Sequence, residues 1–240
     1  MSYKHLLPLL GVALIVFGLV EHGWLLVLVW LGADFLIVGM AHWRNTHGVF
    51  GKRADGTLPL WSRLLFLPLR AYSGAVWNLL RLVSREPAHS AVTPNLVVGR
   101  RLLASELEGK FDNYVDLTAE FVEPRAIRQS PAYRCIPLLD GSAPSPDTLH
   151  QALNSLRPGR TFVHCAQGHG RTGLFALALL LTSGAARSIE DGLQMLRAAR
   201  PGIRLNREQQ QCIQAFGKRL SEERARRDHP RGRDAGPANP

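Results

Sequence analysis

A single cysteine opens a glycine-containing loop that ends in arginine, in the run His-Cys-Ala-Gln-Gly-His-Gly-Arg-Thr-Gly of residues 164–173. The preceding residues 161–164 form a short β-like segment, and the apolar run 174–181 is long enough for a buried helix. The cysteine therefore stands at a strand–loop–helix junction. Glycines there let successive backbone N–H groups turn toward one anion. The pattern predicts a phosphate-binding loop.

The chemistry that such a loop supports is phosphoryl transfer. The planar guanidinium of Arg171 can hold two phosphate oxygens, and the helix N-terminus adds positive potential. We expect the same field to favour the thiolate of Cys165, which would attack phosphorus and form a cysteinyl-phosphate. The alternative is an inert, buried cysteine beside a glycine turn. The sequence lacks the Gly-Lys-Ser/Thr of a nucleotide-binding P-loop.

The run His-Cys-x5-Arg-Thr resembles the signature of the cysteine-dependent phosphatases, the protein tyrosine and dual-specificity group, which includes membrane-anchored bacterial members. The resemblance extends over about residues 92–217 and includes Arg200-Pro201 and Asn206 near its end. It implies a dual-specificity phosphatase-like domain that hydrolyses phosphate monoesters without a metal or any other cofactor.

The resemblance also implies roles for the loop residues. Cys165 and Arg171 would be catalytic. The phosphate would be bound by the five residues between them: Ala166, Gln167, Gly168, His169 and Gly170. His164 is expected to orient the loop through hydrogen bonds. Thr172 is expected to donate its hydroxyl to the sulfur as the sulfur leaves in the hydrolytic half-reaction.

A leaving alkoxide or phenoxide needs a proton, so the mechanism requires a general acid. In the phosphatases that this chain resembles, an aspartate on a loop upstream of the cysteine strand fills that role. Asp140 directly follows a predicted strand, among glycine and proline residues that are typical of a mobile loop. Asp147 is the competing candidate, but it falls in the first turn of a predicted helix, where a carboxylate stabilises the dipole. Asp116 lies inside a predicted strand and is expected to be structural.

The order of predicted elements is that of an α/β domain. Strands are predicted over 96–99, 114–118, 133–139 and 161–164. Helices are predicted to begin near Ser145, Arg171, Ser188 and Asn206. Strands that alternate with helices indicate a largely parallel central sheet flanked by helices, with the site at the carboxyl end of a strand.

Two apolar runs predict an N-terminal transmembrane helical hairpin. Residues 6–20 and 24–40 are apolar apart from Pro8, glycines and Asp34, and a short polar turn separates them. Each run is somewhat short against the roughly 20 residues of a span. A cleaved signal peptide is one alternative, although no small-x-small cleavage site follows Val20. A buried, soluble helical hairpin is the other.

Charge predicts how the hairpin is oriented. Lysine and arginine are frequent after Met40, whereas the turn carries Glu21 and no lysine or arginine. The positive-inside rule then places both ends, and the catalytic domain, on the cytoplasmic side of the inner or plasma membrane. Residues 58–85 mix tryptophan, tyrosine and arginine with leucine, which is typical of a helix in the headgroup zone. The alternative is a helix packed on the catalytic domain, and one helix can contact both the headgroup zone and that domain.

Four segments are predicted in the 240 residues: a transmembrane hairpin (1–43), a basic amphipathic juxtamembrane segment (44–91), the catalytic domain (92–221) and a disordered tail (222–240).

Three cysteines are too few and too scattered for a disulfide framework or a zinc site. A catalytic thiol needs a reducing compartment. Cys135 could be a redox partner of Cys165, although the plainer interpretation is that its side chain only fills space in the domain core.

The net charge of +10 suits an anionic membrane surface, and no nucleic acid is expected as a partner. We expect a phosphorylated protein as the substrate of a dual-specificity enzyme. The alternative is a phospholipid headgroup, such as phosphatidylglycerophosphate or a phosphoinositide. His169 stands where lipid-directed relatives often carry lysine or arginine. A non-catalytic phosphate-binding module is a further alternative, which the intact Cys165, Arg171 and Asp140 argue against.

Overall fold

The computed structural model describes residues 3–107 and 109–228. A five-stranded sheet forms the centre of the catalytic domain, in the order β1-β2-β5-β3-β4. The strands are β1 (His89–Thr93), β2 (Leu96–Arg100), β3 (Asn113–Thr118), β4 (Tyr133–Leu138) and β5 (Thr161–Cys165). Strands β2 to β5 are parallel to one another, and β1 is an antiparallel edge strand. The predicted α/β class and largely parallel sheet are confirmed.

Five helices surround this sheet: α5 (Arg125–Arg128), α6 (Pro146–Asn154), α7 (Gly170–Ser183), α8 (Ile189–Ala199) and α9 (Arg207–Asp228). Serine N-caps mark the starts of α6 and α8. Ser145 Oγ accepts the Thr148 N–H at 3.1 Å, and Ser188 Oγ accepts the Asp191 N–H at 3.1 Å. The apolar α7 is buried along most of its length in the main core. This arrangement fixes the loop between β5 and α7.

The N-terminal helices α1 (Tyr3–Glu21) and α2 (Leu26–Trp43) form a hairpin with a one-turn connection. A Cβ at Gly11 would lie 2.7 Å from the carbonyl oxygen of Gly32, and the reverse distance is 2.6 Å, so only glycine permits this close approach. Both helices are long and apolar enough, by length and composition, to cross a membrane. At 19 residues, α1 would reach about 28 Å.

Helices α3 (Leu60–Leu65) and α4 (Leu67–Val83) connect the hairpin with the sheet. The carboxylate of Asp34 in α2 accepts the Leu69 N–H at 3.3 Å, in the first turn of α4, and the Trp30 indole donates to the Leu65 carbonyl at 2.6 Å. A shared apolar cluster includes Phe35 of α2 and Leu139 after β4. The hairpin, α4 and the catalytic sheet are therefore packed together.

The last helix extends farther toward the C-terminus than the sequence predicted. Residues 222–228, which were expected to belong to a disordered tail, continue helix α9. Residues 229–240 of that predicted tail lie outside the described residues. Helix α9 begins with the predicted capping box, in which Asn206 Oδ1 accepts the Gln209 N–H at 2.9 Å and Gln209 Oε1 accepts the Asn206 N–H at 3.2 Å.

Candidate active site

Cys165 is the last residue of β5, and its thiol is buried at the entrance of the loop. The Gly168 N–H points at the sulfur, with N and Sγ 3.3 Å apart. Gly168 has φ +77°, and a Cβ there would collide with the backbone of Gly99 in β2. The glycine is therefore required both for the left-handed conformation and for the close approach of the loop to the sheet.

Arg171 lies in the first turn of α7 and is 1% exposed. Its Nη1 and Nη2 atoms form a bidentate ion pair with Glu120 at 2.9 and 2.8 Å, and Nη1 also donates to the Leu138 carbonyl at 2.8 Å. Burial alone would lower its pKa, but the carboxylates of Glu120 and Asp140 raise the pKa well above its usual range. Nε is buried and has no partner among the described residues.

Asp140 lies beside the arginine. Its Oδ1 is 3.1 Å from Arg171 Nη2, and its Oδ2 accepts the Tyr3 hydroxyl from α1 at 3.2 Å. The neighbouring turn is tied down, because the Asn206 amide donates to the Gly141 carbonyl at 2.6 Å. The competing candidate, Asp147, is in the first turn of α6 and pairs instead with Arg219 of α9.

His164, just before the cysteine, is fully buried and stacks on Phe162 with ring centroids 5.5 Å apart. Burial lowers the pKa of His164 to about 4, although Asp116 acts in the opposite direction. Its Nδ1 lies 3.3 Å from the Cys165 carbonyl oxygen, which suits the expected orienting role. Thr172 Oγ1 is buried without a hydrogen-bond partner among the described residues, so its expected bond to the sulfur is not formed here.

No protein-family model and no curated protein matches the sequence. Solved structures do match. A mouse protein assigned as a dual-specificity phosphatase, crystallised with zinc tungstate, aligns with a TM-score of 0.50 and 20% identity over 59% of this chain and 94% of its own. Tk-PTP in its active form aligns with a TM-score of 0.45 and 22% identity, over 55% of this chain and 98% of its own. Human DUSP28 aligns with a TM-score of 0.48 and 19% identity, over 57% of this chain and 97% of its own.

The chain has the dual-specificity phosphatase fold. In this fold the cysteine loop joins the central strand β5 to the buried helix α7, as the sequence predicted. The catalytic roles of the individual side chains remain predictions.

In this phosphatase fold, the buried side chain of Arg200 donates hydrogen bonds to carbonyls of the cysteine loop. Arg200 donates from Nε to the Gly168 carbonyl at 3.1 Å and from Nη2 to the Gln167 carbonyl at 3.0 Å. Glu86 lies 3.1 Å from Arg200 Nη2 and 2.6 Å from His169 Nε2. Burial would raise the pKa of Glu86, but the His169 bond and the Arg200 charge lower it overall. The His169 side chain is thus held by Glu86, and the expected role of His169 in substrate binding stays a prediction.

Two further supports of the phosphatase fold come from outside the predicted catalytic domain. The Trp77 indole N–H of α4 donates to the Ala166 carbonyl in the cysteine loop at 3.1 Å. The buried Lys52 ammonium donates to Asp116 Oδ2 at 2.7 Å and to the Thr118 carbonyl at 2.6 Å. Sequence reasoning missed both contacts, because each residue lies far along the chain from its partner.

Asp116, Glu123 and His164 place potential ligand atoms within 4.8 Å of one another. Burial would raise the pKa of Asp116, but the Lys52 ammonium and His164 lower it overall. Lys52 therefore already supplies the positive charge that this carboxylate needs, and Arg101 pairs with Glu123 at 2.7 Å. This arrangement supports the structural role that the sequence suggested for Asp116.

The position of Cys135 is incompatible with a disulfide to Cys165. Cys135 in β4 is paired with Asp116 in β3, which is paired with His164 in β5. Two strand spacings, about 9–10 Å, therefore separate Cys135 from His164, and the next residue, Cys165, points to the opposite face. Disulfides need Cα atoms within about 7 Å.

Proposed function

We propose that this chain is a membrane-tethered, cysteine-dependent phosphate monoester hydrolase. The observation that carries the proposal is the pairing of a buried thiol with a fixed cation at one strand end. Cys165 opens a loop of backbone donors, and Arg171 closes it with its charge held by Glu120. In the dual-specificity phosphatase fold, this arrangement supports nucleophilic attack on a bound phosphate.

In the first half-reaction the phosphate is bound by the loop N–H groups of residues 166–171 and by Arg171. The thiolate of Cys165 attacks phosphorus, so the P–S bond forms as the bond to the ester oxygen breaks. Asp140 donates a proton to that leaving oxygen. The alcohol or phenol departs, and the phosphoryl group stays on sulfur.

In the second half-reaction the Asp140 carboxylate takes a proton from a water molecule that attacks the phosphorus. The P–S bond breaks, the thiolate of Cys165 is regenerated and inorganic phosphate is released. The hydroxyl of Thr172 would turn toward the sulfur at this stage and stabilise the leaving thiolate. The nucleophile, the acid and base, and the groups that bind the phosphate all belong to the chain in this mechanism.

The membrane assignment rests on the hairpin and on helix α4. Both hairpin helices have the length and apolar composition of membrane spans, and α4 leaves Leu79, Leu82 and Val83 exposed on one face. The net charge of +10 would hold the catalytic domain near an anionic, cytoplasmic surface. The hydrolytic chemistry is the same for a phosphorylated protein and for a phospholipid headgroup.

The test is turnover of a small aryl phosphate by the purified full chain in detergent. We expect Cys165→Ser to reduce turnover to background while phosphate still binds, because the loop N–H groups and Arg171 remain. Cys135→Ser is the matched control and should keep its activity, since Cys135 lies two strands from the loop. Sustained turnover by Cys165→Ser would overturn the proposal, and so would a wild-type chain that binds phosphate but never releases product.

A further inference from the structure

An apolar groove of about 390 Å³ leads away from the phosphate loop. At its polar end lie the loop residues Ala166 and Gln167, together with Asp140 and Glu120. Its walls are formed by the hairpin helices α1 and α2 and by α4. The groove thus connects the site of phosphoryl transfer to the helices that could span a membrane.

The α4 wall of this groove is a regular helical stripe. Tyr72, Val76 and Leu80 follow one another at intervals of four residues, so they lie on one face of the helix. All three are at least 36% exposed, as is Leu10 on the α1 wall. Exposed apolar side chains in a continuous patch mark a surface for an apolar partner.

The floor of the groove is joined directly to the catalytic loop. Trp77 lines the groove and donates its indole N–H to the Ala166 carbonyl. Leu69, which also lines the groove, lies eight residues earlier in α4, about 12 Å along the helix axis. An occupant with its phosphate in the loop could therefore extend about that distance along apolar side chains.

The chemistry of the walls discriminates between two kinds of occupant. An extended phosphopeptide carries backbone N–H and C=O groups that need partners when water is removed. Most of the α1, α2 and α4 side chains that line the groove are apolar and offer none. An acyl chain has no such requirement and gains from burial. Two of its walls, α1 and α2, are the helices that could span a membrane.

We infer that the substrate is a phosphate monoester carried by a membrane lipid, with its phosphate in the cysteine loop and the first part of an acyl chain in the groove. The inference rests on the hydrolase function proposed above and selects the lipid alternative over the phosphoprotein. The hairpin then has a second role besides tethering, because α1 and α2 form part of the substrate site.

The first test uses the unaltered full chain and a series of monoacylglycerol phosphates of increasing acyl length, each kept below its micelle-forming concentration. We expect kcat/KM to rise at least ~10-fold across the series, the gain from burying about two methylene groups. A tyrosine phosphopeptide should be a poorer substrate than the longest lipid. Rates that do not depend on acyl length, or a phosphopeptide that surpasses every lipid, would overturn the inference.

The second test fills the groove. Val76→Trp should lower kcat/KM for the longest lipid at least ~10-fold and leave a small aryl phosphate unaffected. Leu82→Trp is the matched control, since Leu82 is on the same helix but outside the groove, and both rates should be unchanged. If Val76→Trp leaves lipid turnover unchanged, the groove assignment is wrong. Aryl phosphate hydrolysis reports on the proposed function separately, because that substrate has no acyl chain.

Discussion

Arg171 carries a full positive charge in a position that is almost closed to water, and its partners are what make this possible. Glu120 holds two of its nitrogens, and carbonyls at the ends of β3 and β4 accept from the same side chain. A guanidinium held in this way needs little reorganisation when a phosphate arrives. Asp140 lies 3.1 Å from Arg171 Nη2, on the same guanidinium that Glu120 holds.

Replacement of Asp140 by asparagine should depend on the leaving group. We expect Asp140→Asn to slow phosphate esters of alkyl alcohols on the order of 10²–10⁴-fold, because general acid catalysis is lost. The first half-reaction of an activated aryl phosphate should be much less affected, since its leaving group needs little protonation. Hydrolysis of the cysteinyl-phosphate, which also uses Asp140, should be slowed for every substrate. Asp147→Asn is the control and should behave like the unaltered chain with both substrates. Pre-steady-state rates of alcohol or phenol release with leaving groups of graded acidity decide the point, and a strong effect in Asp147→Asn alone would assign the acid to that residue.

The imidazole of His164 should stay neutral at pH values well below the usual pKa of histidine. Burial lowers its pKa to about 4, whereas the unfolded value is near 6.5. The unfolded chain therefore binds more protons between these values, and this histidine's contribution to stability, about 3 kcal/mol, is lost as the pH falls from 6.5 toward 4. NMR of labelled histidine should detect neutral His164 at pH 5.5. Proton uptake at this ring near pH 6.5 would contradict the buried, orienting role.

At the scale of elements, the segment between hairpin and sheet contributes to the catalytic core. Lys52 and Asp116 are both fully buried, and their ion pair ties this segment to β3. Trp77 does the same for α4 and the cysteine loop. A fragment that begins at residue 92 would lack both, so we expect it to be unstable although it retains every predicted catalytic residue.

The Lys52 contact can be tested by a pair of substitutions. Lys52→Met should lower the free energy of unfolding by about 3–5 kcal/mol, because it leaves the Asp116 carboxylate buried without its counter-charge. The double variant Lys52→Met/Asp116→Asn should recover much of the loss, since the orphan charge is removed as well. Denaturant unfolding of the detergent-solubilised chain measures both. Equal destabilisation in the single and double variants would show that the lysine acts through packing alone.

Elements with a strong local pattern could be predicted, and those defined by distant partners could not. The strands β2 to β5 and the starts of α6 to α9 follow from apolar runs and capping residues. The edge strand β1 was missed because its short, half-buried sequence has weak alternation. In the site, Cys165, Arg171 and Asp140 are predicted from the motif and the resemblance, and their catalytic roles stay predictions. Glu120 could not be predicted, because it contacts a residue 51 positions away.

At the scale of the whole molecule, one buried carboxylate joins the hairpin to the rest. Asp34 would be costly if it faced lipid. In the structure it is fully buried and accepts an N–H from the first turn of α4, where the helix dipole favours a negative charge. No sequence pattern could assign this role, because the partner Leu69 is 35 residues farther along the chain.

The hairpin should have both ends in the cytoplasm. A cysteine introduced by Gly23→Cys, in the turn between α1 and α2, should react with a membrane-impermeant thiol reagent in intact cells. Ser221→Cys, on the exposed part of α9, is the control and should react only after lysis. Labelling of the Gly23→Cys chain only after lysis would contradict this topology and favour a hairpin that stays on the cytoplasmic side.

The proposed mechanism requires that Cys165 forms a covalent bond to phosphorus during turnover. The most direct measurement mixes an activated aryl phosphate with the Asp140→Asn variant, whose second half-reaction is slowed, stops the reaction by rapid denaturation and maps the phosphate by mass spectrometry. We expect phosphate on the peptide that contains Cys165, and none in Cys165→Ala. Phosphate on a different residue, or turnover that continues in Cys165→Ala, would contradict it.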